Sequence, residues 1–527
     1  RDQPRSRGLG DVYKRQIFGF VLMTGALPSC LRAGIMAGIY LFSLKSARQY
    51  HPKYSLFLAA FLMVLFNPKL LCFDLGFELS FLATLGLIYL TPSLKNFYLC
   101  FKAKVKKDFL RKILPRSFLE KFWHYPKAAF AAFIYGKPAK NLKVIAVAGS
   151  KGKTTTAHLI AHLLEKAQKK VALISTASLK IGKKEKLNDL KMTTPPSFFL
   201  QKFIKKAVKE GCQYLVLEVS SHALKQFRTF AIPFETIVLT NLFPDHLEYH
   251  PSKDDYQKTH LKLINPNLKY LIFNGDDPDI KKIFSFPLKK AQKISFGLDE
   301  KNDLLAQKIN LTEKGISFEL KTKKGSILIN SPLLGKFNLY NLLGAAAFAI
   351  SQNFNLSFIK EALESFSGAP GRGEVIETQK KFKVIVDYAH SPDSLKSLFE
   401  ALKPVKKRKV IVVFGACGER DQNQRPLMGE IIDENSDYFI LTNDDPYSED
   451  PEKIAKDLLS GIKRKKLNEN LFKILDRKKA IEKAISLAQE NDLVLILGKG
   501  AEQWQVFKDK KIPWDDRKIV KEILQKL

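Results

Sequence analysis

The stretch Val144-Ile145-Ala146-Val147-Ala148-Gly149-Ser150-Lys151-Gly152-Lys153-Thr154-Thr155-Thr156 decides how this chain reads. Five apolar residues make a buried strand. A glycine-rich turn follows, and then a helix pattern through Ala157, Leu159, Ile160, Leu163 and Leu164. That order builds a phosphate cradle: backbone N–H groups close on the anion, the lysine neutralises the terminal phosphates, and a threonine hydroxyl can hold magnesium. The spacing is G-x-x-G-K-T-T, and the first glycine of the common G-x-x-x-x-G-K-[ST] form falls on Val147. The expectation is binding of ATP with Mg2+ by Gly149, Ser150, Lys151, Gly152, Lys153, Thr154 and Thr155.

Outward from the loop, strands alternate with helices from Asn141 onward. Strand candidates are Val144–Ala148, Val171–Ile174, Tyr214–Glu218, Thr236–Thr240 and Tyr270–Asn274, the signature of a parallel α/β sheet. A β-rich patch at Gln307–Leu328 and a helix at Leu339–Ile350 come next. A second α/β region begins near Gly371, with strands Phe382–Asp387, Lys409–Phe414, Tyr438–Thr442 and Leu493–Leu497. Glu218 ends an apolar strand near the phosphate loop, where a carboxylate is placed to hold magnesium. His246 is a candidate second ligand, with a capped loop histidine as the plainer alternative.

The 527 residues imply several domains. The net charge of +34 comes from 87 Lys+Arg against 53 Asp+Glu and is scattered. It favours anionic substrates or an anionic membrane face over nucleic acid. Five cysteines without a C-x-x-C pair read as reduced core thiols. Residues 1–16 lack a starting Met and resemble a non-native leader. Apolar runs at Ile17–Leu31, Ala33–Leu44, Tyr54–Phe66 and Leu79–Leu90 are each shorter than a comfortable span. Joined or tilted they would cross a bilayer, so the expectation is an apolar α-helical membrane segment, with a buried helical core as the alternative. Residues 95–140 are basic and aromatic, either an amphipathic interfacial connector or a solvated linker helix.

Thr24-Gly25-Ala26-Leu27-Pro28-Ser29, Asn67-Pro68 and the run from Asp74 to Leu87 resemble part of the competence domain of ComEC-type DNA-uptake channels. The rest resembles Mur ligases. The resemblance rests on Gly149–Thr155, Thr193-Thr194-Pro195, Glu218–Leu224 with Gln226 and Arg228, Asp245-His246-Leu247, Gly335–Asn338 with Asn341, Pro370–Glu374 and Val386–Pro392. Phe414–Asp421, Asp444-Asp445-Pro446, Asp476-Arg477 and Gly498–Glu502 narrow it to the UDP-N-acetylmuramyl-tripeptide synthetase (MurE) type.

The resemblance implies a two-domain ligase. A substrate carboxylate attacks the ATP γ-phosphate, and an amino group then displaces phosphate from the acyl phosphate to form an amide. It assigns catalysis to Lys153, Glu218, His246 and Arg372, and Mg2+ to Thr154, Glu218, His246 and the His260 position. Asn338 and Asn341 join the nucleotide site, Asn341 facing adenine, with Asp387 on the ribose and Arg372 on the triphosphate. Thr193, Thr194, Ser220, Gln226 and Arg228 would contact UDP-MurNAc-dipeptide. Arg420, Asp444, Asp445, Tyr447, Gly498 and Glu502 would receive the free amino acid.

Four departures stand out. His260 occupies the place of a lysine commonly carried as a carbamate, and Ala501 replaces a histidine. Tyr447 replaces the Arg of Asp-Asn-Pro-Arg, which leaves lysine and other diamino acids open beside meso-diaminopimelate. The ComEC-like fragment stands where the family has a uridine-binding domain. The expected domains are 1–16 leader, 17–94 ComEC-like fragment, 95–140 connector, 141–368 central ATP-binding domain and 369–527 C-terminal domain. The expected protein is a monomer with a cytoplasmic catalytic part, membrane association through residues 17–92, and no nucleic acid for the ligase part. Two other functions stay open: a Mur-like ligase for a folate or poly-amino acid, and a membrane DNA-uptake component carrying an ATPase-like domain.

Overall fold

The computed structural model describes residues 120–243, 249–288 and 290–526, and before them 21, 23, 24, 27–46, 50–68, 70, 74, 77–86 and 88. The chain divides into two units, 1–116 and 117–527. In the first, helices Pro28–Lys45 and Pro52–Phe66 pack around Leu56, Ala59 and Met63 with Phe77 and Phe81. Arg32 donates to Ser80 Oγ at 2.7 Å. The membrane-spanning expectation for residues 17–92 gains no support from the structure: among the described residues no helix is long and apolar enough to cross a membrane. The reason is length and composition. The 15 residues of Pro52–Phe66 rise only about 22 Å, against a hydrocarbon core of about 30 Å, and the longer helix carries Arg32 in its second turn. Parts of Ile17–Leu31 and Leu79–Leu90 lie outside the described residues, as do 91–119 of the connector.

The second unit holds two sheets. The larger is built from β1 (Lys143–Ala148), β2 (Val171–Ile174), β3 (Ser178–Ile181), β4 (Lys184–Leu187), β5 (Tyr214–Val219), β6 (Phe234–Leu239), β7 (Tyr270–Asn274), β8 (Gln292–Gly297), β9 (Leu304–Thr312), β10 (Gly315–Thr322) and β11 (Gly325–Ser331). Their order is β11-β10-β9-β8-β7-β6-β1-β5-β2-β3-β4. From β9 to β2 neighbours run parallel, and antiparallel strands extend both edges.

The central strand explains the layering. Ile145 and Val147 point into a core with the helices Lys153–Lys166 and Lys336–Ser351, while Val144, Ala146 and Ala148 face the core under Ser197–Lys209. A strand covered on both faces reads as an unbroken apolar run, which is how β1 reads. The β-rich patch is part of this same sheet. In β10, Ile316, Phe318 and Leu320 alternate inward while Ser317, Glu319 and Lys321 stay outward, the pattern of a sheet wet on one face. The end of the connector becomes the helix Tyr125–Tyr135, whose Ala128, Ala131 and Ala132 are buried and whose Phe130 meets Phe198 edge-on at 6.1 Å.

The smaller sheet uses β12 (Glu374–Ile376), β13 (Lys383–Asp387), β14 (Val410–Phe414), β15 (Tyr438–Leu441), β16 (Leu471–Lys473) and β17 (Leu493–Leu497). Its order is β12-β13-β17-β14-β15-β16, parallel except for β12. A short hairpin of β18 (Trp504–Val506) and β19 (Lys511–Pro513) follows β17. Open parallel sheets bind ligands at the carboxyl ends of their strands; the phosphate loop and Glu218 lie there in the larger sheet, and Asp387, Asp444, Asp445 and Gly498 in the smaller.

Candidate active site

The phosphate loop runs from the end of β1 to the helix Lys153–Lys166. Gly152 has φ +84°, and a Cβ there would meet Asn341 Oδ1 at 2.3 Å, so this close approach to the neighbouring helix needs glycine. Asn241, just past β6, shapes the turn. Its carbonyl accepts the Ser150 N–H at 2.9 Å, its Oδ1 accepts the Lys151 N–H at 2.8 Å, and its Nδ2 donates to the Lys151 carbonyl at 3.0 Å. The N–H groups of the first turn from Lys153 have no intrahelical acceptor and point the positive helix end at the mouth of the loop. Lys153 Nζ rests there on the carbonyls of Gly149 at 2.8 Å and Ser150 at 2.7 Å.

Beneath the loop lies Glu218, 1% exposed. The Thr154 hydroxyl reaches both its carboxylate oxygens at 3.1 Å, and Thr176 donates its N–H at 2.7 Å and its hydroxyl at 3.0 Å. A buried carboxylate beside a threonine hydroxyl and a phosphate loop is a hard-oxygen donor set that fits Mg2+. From the C-terminal domain, Arg372 Nη2 donates to Thr154 Oγ1 at 3.3 Å, with the guanidinium 4.3 Å from the Tyr388 ring centre. Asp387, at the end of β13, accepts N–H groups from Gly373 at 2.6 Å and Ala389 at 2.7 Å. Burial pushes its carboxyl up, against the opposing pull of Arg372.

Two predicted residues behave differently from their neighbours. Asn341 lines the cavity and its Oδ1 accepts from Thr156, whereas Asn338 sits behind it and accepts from Asn341 Nδ2 at 2.9 Å. His246 lies outside the described residues. His260 is fully buried; its Nδ1 faces the Tyr256 carbonyl at 3.0 Å, and its Nε2 has no hydrogen-bond partner. Burial first, then the charge of Lys153, brings its pKa down to about 4, so the imidazole is neutral at pH 7 with a bare Nε2 lone pair.

The residues assigned to the acceptor form one network. Thr194 Oγ1 donates to the Glu218 carbonyl at 2.9 Å and accepts the Ser220 N–H at 3.1 Å. Arg228 donates to the Thr194 carbonyl at 2.6 Å and to Gln226 Oε1 at 2.7 Å, and the Thr193 hydroxyl meets Thr176 at 2.9 Å.

Of the residues assigned to the amino acid, Asp444, Asp445, Gly498 and Glu502 gather at the ends of β15 and β17 around a cation outside that assignment. Lys499 is fully buried and reaches Asp444 Oδ1 at 3.1 Å, Asp445 Oδ1 at 3.0 Å and Glu502 Oε2 at 3.1 Å. Burial opposes its charge, but the three acids hold its pKa well above the usual lysine value. Cys417, Asp444 and Asp445 approach within 4.8 Å of one another, and the ammonium of Lys499 pairs with both aspartates there. Gly498, φ +105°, leaves no room for a Cβ beside Asp444 Oδ2, which would lie at 2.8 Å. Arg477, also buried, ties this end of the sheet together through the Asn443 and Leu497 carbonyls while paired with Asp516.

A cavity of about 1600 Å³ opens between the two domains. Ser150–Thr155, Glu218, Ser220, Arg228, Asn341, Arg372, Asp387 and Arg420 line it. Asp444, Asp445, Gly498 and Glu502 do not, and Tyr447 faces a separate shallow pocket with Pro446 and Phe507. Thr176, Asn241 and Tyr388 were missed by the sequence reading because their neighbours are remote in the chain. Lys191 was missed for the same reason.

This geometry defines a P-loop nucleotide-binding protein in which a second α/β domain brings an arginine to the phosphate site. The Mur ligase middle domain matches residues 147–349, the Mur ligase glutamate ligase domain matches 371–500, and a competence protein domain matches 16–126. The chain belongs to the Mur ligase family. It is 38% identical over 402 residues to the UDP-N-acetylmuramoyl-L-alanyl-D-glutamate–2,6-diaminopimelate ligase of Syntrophomonas wolfei, covering 76% of this chain and 81% of that one. The ligase of that name from Geobacillus thermodenitrificans is 39% identical, covering 75% and 81%. A solved structure of a ligase of the same name superposes with a TM-score of 0.55 at 31% identity, covering 77% of this chain and 83% of that one. The ADP complex of a MurF ligase from Thermotoga maritima shares the fold, with a TM-score of 0.55 at 20% identity over 76% and 83% of the chains.

Proposed function

We propose that this chain is an ATP-dependent ligase that joins a diamino acid to UDP-MurNAc-dipeptide in peptidoglycan precursor synthesis, with its catalytic part in the cytoplasm. One observation carries the reading: Arg372 donates to the Thr154 hydroxyl, which itself donates to Glu218. A cation from one domain is thus held at the phosphate loop of the other. Phosphoryl transfer needs that kind of positioning and charge neutralisation.

In this reading Lys153 and the helix N-terminus take the β- and γ-phosphates, and Asn341 and Asp387 hold the nucleoside. Thr154 and Glu218 would hold Mg2+, with His246 and the bare Nε2 of His260 as further donors; when bound, the metal offsets phosphate charge. Thr193, Thr194, Ser220, Gln226 and Arg228 place the acceptor carboxylate in line with the γ-phosphate. Arg372 stabilises charge as the acyl phosphate forms, and the incoming amine then displaces phosphate. Arg420 takes the α-carboxylate of the amino acid, while Asp444, Asp445 and Glu502 suit a distal ammonium. Tyr447 brings no guanidinium fork for a distal carboxylate; burial first, then Asp445, pushes its phenol up and keeps it neutral.

The test is phosphate release by the full chain with ATP, Mg2+ and UDP-MurNAc-L-Ala-D-Glu, across L-lysine, meso-diaminopimelate, ornithine and neutral amino acids. Stimulation by a diamino acid is expected. No stimulation by any of them refutes the reading.

A further inference from the structure

Lys191 belongs to the middle domain, two residues before Thr193, in the segment between β4 and the helix Ser197–Lys209. Its backbone is left-handed, φ +50°, and its side chain crosses to the C-terminal domain. There the ammonium pairs with Asp445 Oδ2 and, at 3.0 Å, with Glu502 Oε2. These acids are fastened from within by other groups. Asp445 Oδ1 accepts from Lys499 and, at 2.7 Å, from the Val506 N–H, while Glu502 Oε1 accepts from the Tyr388 hydroxyl at 3.3 Å. Lys191 lines the interdomain cavity and the two acids do not. It therefore stands between the cavity and the carboxylates to which the proposed function assigns the incoming amino acid.

Charge explains why a lysine stands there. Asp444, Asp445 and Glu502 share Lys499 as their inner cation, and two buried aspartates with one partly buried glutamate around a single ammonium leave an uncompensated negative charge that costs stability. A second ammonium removes most of that cost. We propose that Lys191 holds the place of the substrate's distal ammonium, so that the site admits amino acids carrying a side-chain cation able to displace it. A neutral side chain would have to expel Lys191 and leave the acids bare, so rejection is built into the empty site as well as into the contacts of the filled one. The inference rests on the ligase reading above. It adds a residue of the middle domain to amino-acid selection.

The experiment compares the full chain with Lys191→Met and Lys191→Gln, two neutral variants that guard against one of them folding poorly. L-lysine, meso-diaminopimelate and norleucine, which is lysine without its distal amine, serve as amino acids. Removing the internal competitor should lower KM for the preferred diamino acid by about threefold or more, because the competent state no longer has to be released. KM for ATP should stay within about twofold. Norleucine, inert with the wild type, should give measurable turnover. Lys191→Arg keeps the charge and should behave as the wild type. The diamino acid should also raise the melting temperature more in the neutral variants than in the wild type. An unchanged or raised KM for the diamino acid in both neutral variants, or an equal thermal shift, overturns the inference and leaves the ligase reading standing. A wild type that turns over no diamino acid overturns both.

Discussion

The two walls of the cavity use strand ends in the same way and balance charge differently. In the middle domain a single contiguous loop supplies the cation and the helix N-terminus, with one buried acid, Glu218, satisfied by two threonines. In the C-terminal domain three acids from two strand ends surround one fully buried lysine, and a second lysine reaches them from the opposite wall. The first arrangement is preformed for an anion. The second is preformed for a cation, and it is complete only when the domains meet. The phosphate wall draws its own cation and helix end from one segment and gains Arg372 from across the cleft, whereas the acid cluster of the C-terminal domain is assembled from separate segments throughout.

The comparison can be broken most easily at its anionic side. Lys153→Ala should lower kcat about a thousandfold by removing the main cation at the developing phosphate charge. Near-normal single-turnover ADP formation would refute the role. Arg372→Ala removes a guanidinium that crosses to that wall, and kcat should fall about a hundredfold with little change in melting temperature. A matching loss in Lys153→Ala that Arg372→Ala does not deepen would show the two acting as one unit. Tyr447→Arg tests the cationic side. Relative kcat/KM for meso-diaminopimelate over L-lysine should rise about tenfold, since a planar fork would then face the distal carboxylate. An unchanged ratio would show that this loop does not read that group.

The smallest expected effect is on stability. His158, under the phosphate loop, meets Ser175 Oγ at 3.0 Å, and burial brings its pKa from the ordinary 6.5 down to about 4. The unfolded chain binds a proton near pH 6.5 and the folded chain does not until about pH 4, so protonation favours unfolding across that window. Stability is complete above 6.5 and falls as pH drops toward 4, by up to about 3 kcal/mol from this group. Thermal melts of wild type and His158→Gln between those pH values should show a shallower fall in the variant. Parallel curves would remove His158 from the account.

Much of this was legible in the chain. β1, β2, β5, β6 and β7 lie where their apolar runs stand, with ends shifted by at most two residues, because a strand buried on both faces needs a continuous apolar run. The β-rich patch was visible as strands; that it prolongs the main sheet was not, since pairing is a property of two segments at once. The apolar N-terminal runs are accounted for only in part: Leu56, Ala59 and Met63 pack against neighbouring residues, while Phe57, Phe61, Leu65 and Phe66 stay exposed.

Among the residues assigned to the site, Lys153, Thr154, Glu218 and Arg372 line one cavity. Asn338 moves to a supporting place behind Asn341. Asp444, Asp445 and Glu502 lie off the cavity wall behind Lys191. Thr176, Asn241 and Lys191 carried no local signal, because what makes each of them matter is a partner at least 42 positions away.

The amino-acid sequence by itself determined the phosphate loop, the alternation of strand and helix, and the family, because each is written in short-range spacing of glycine, lysine and apolar residues. The tertiary structure alone decided which charges face one another across the cleft. Ion pairing depends on distances of a few ångströms between segments hundreds of residues apart, as when Lys191 meets Asp445 over 254 positions, and no periodicity along the chain encodes that meeting.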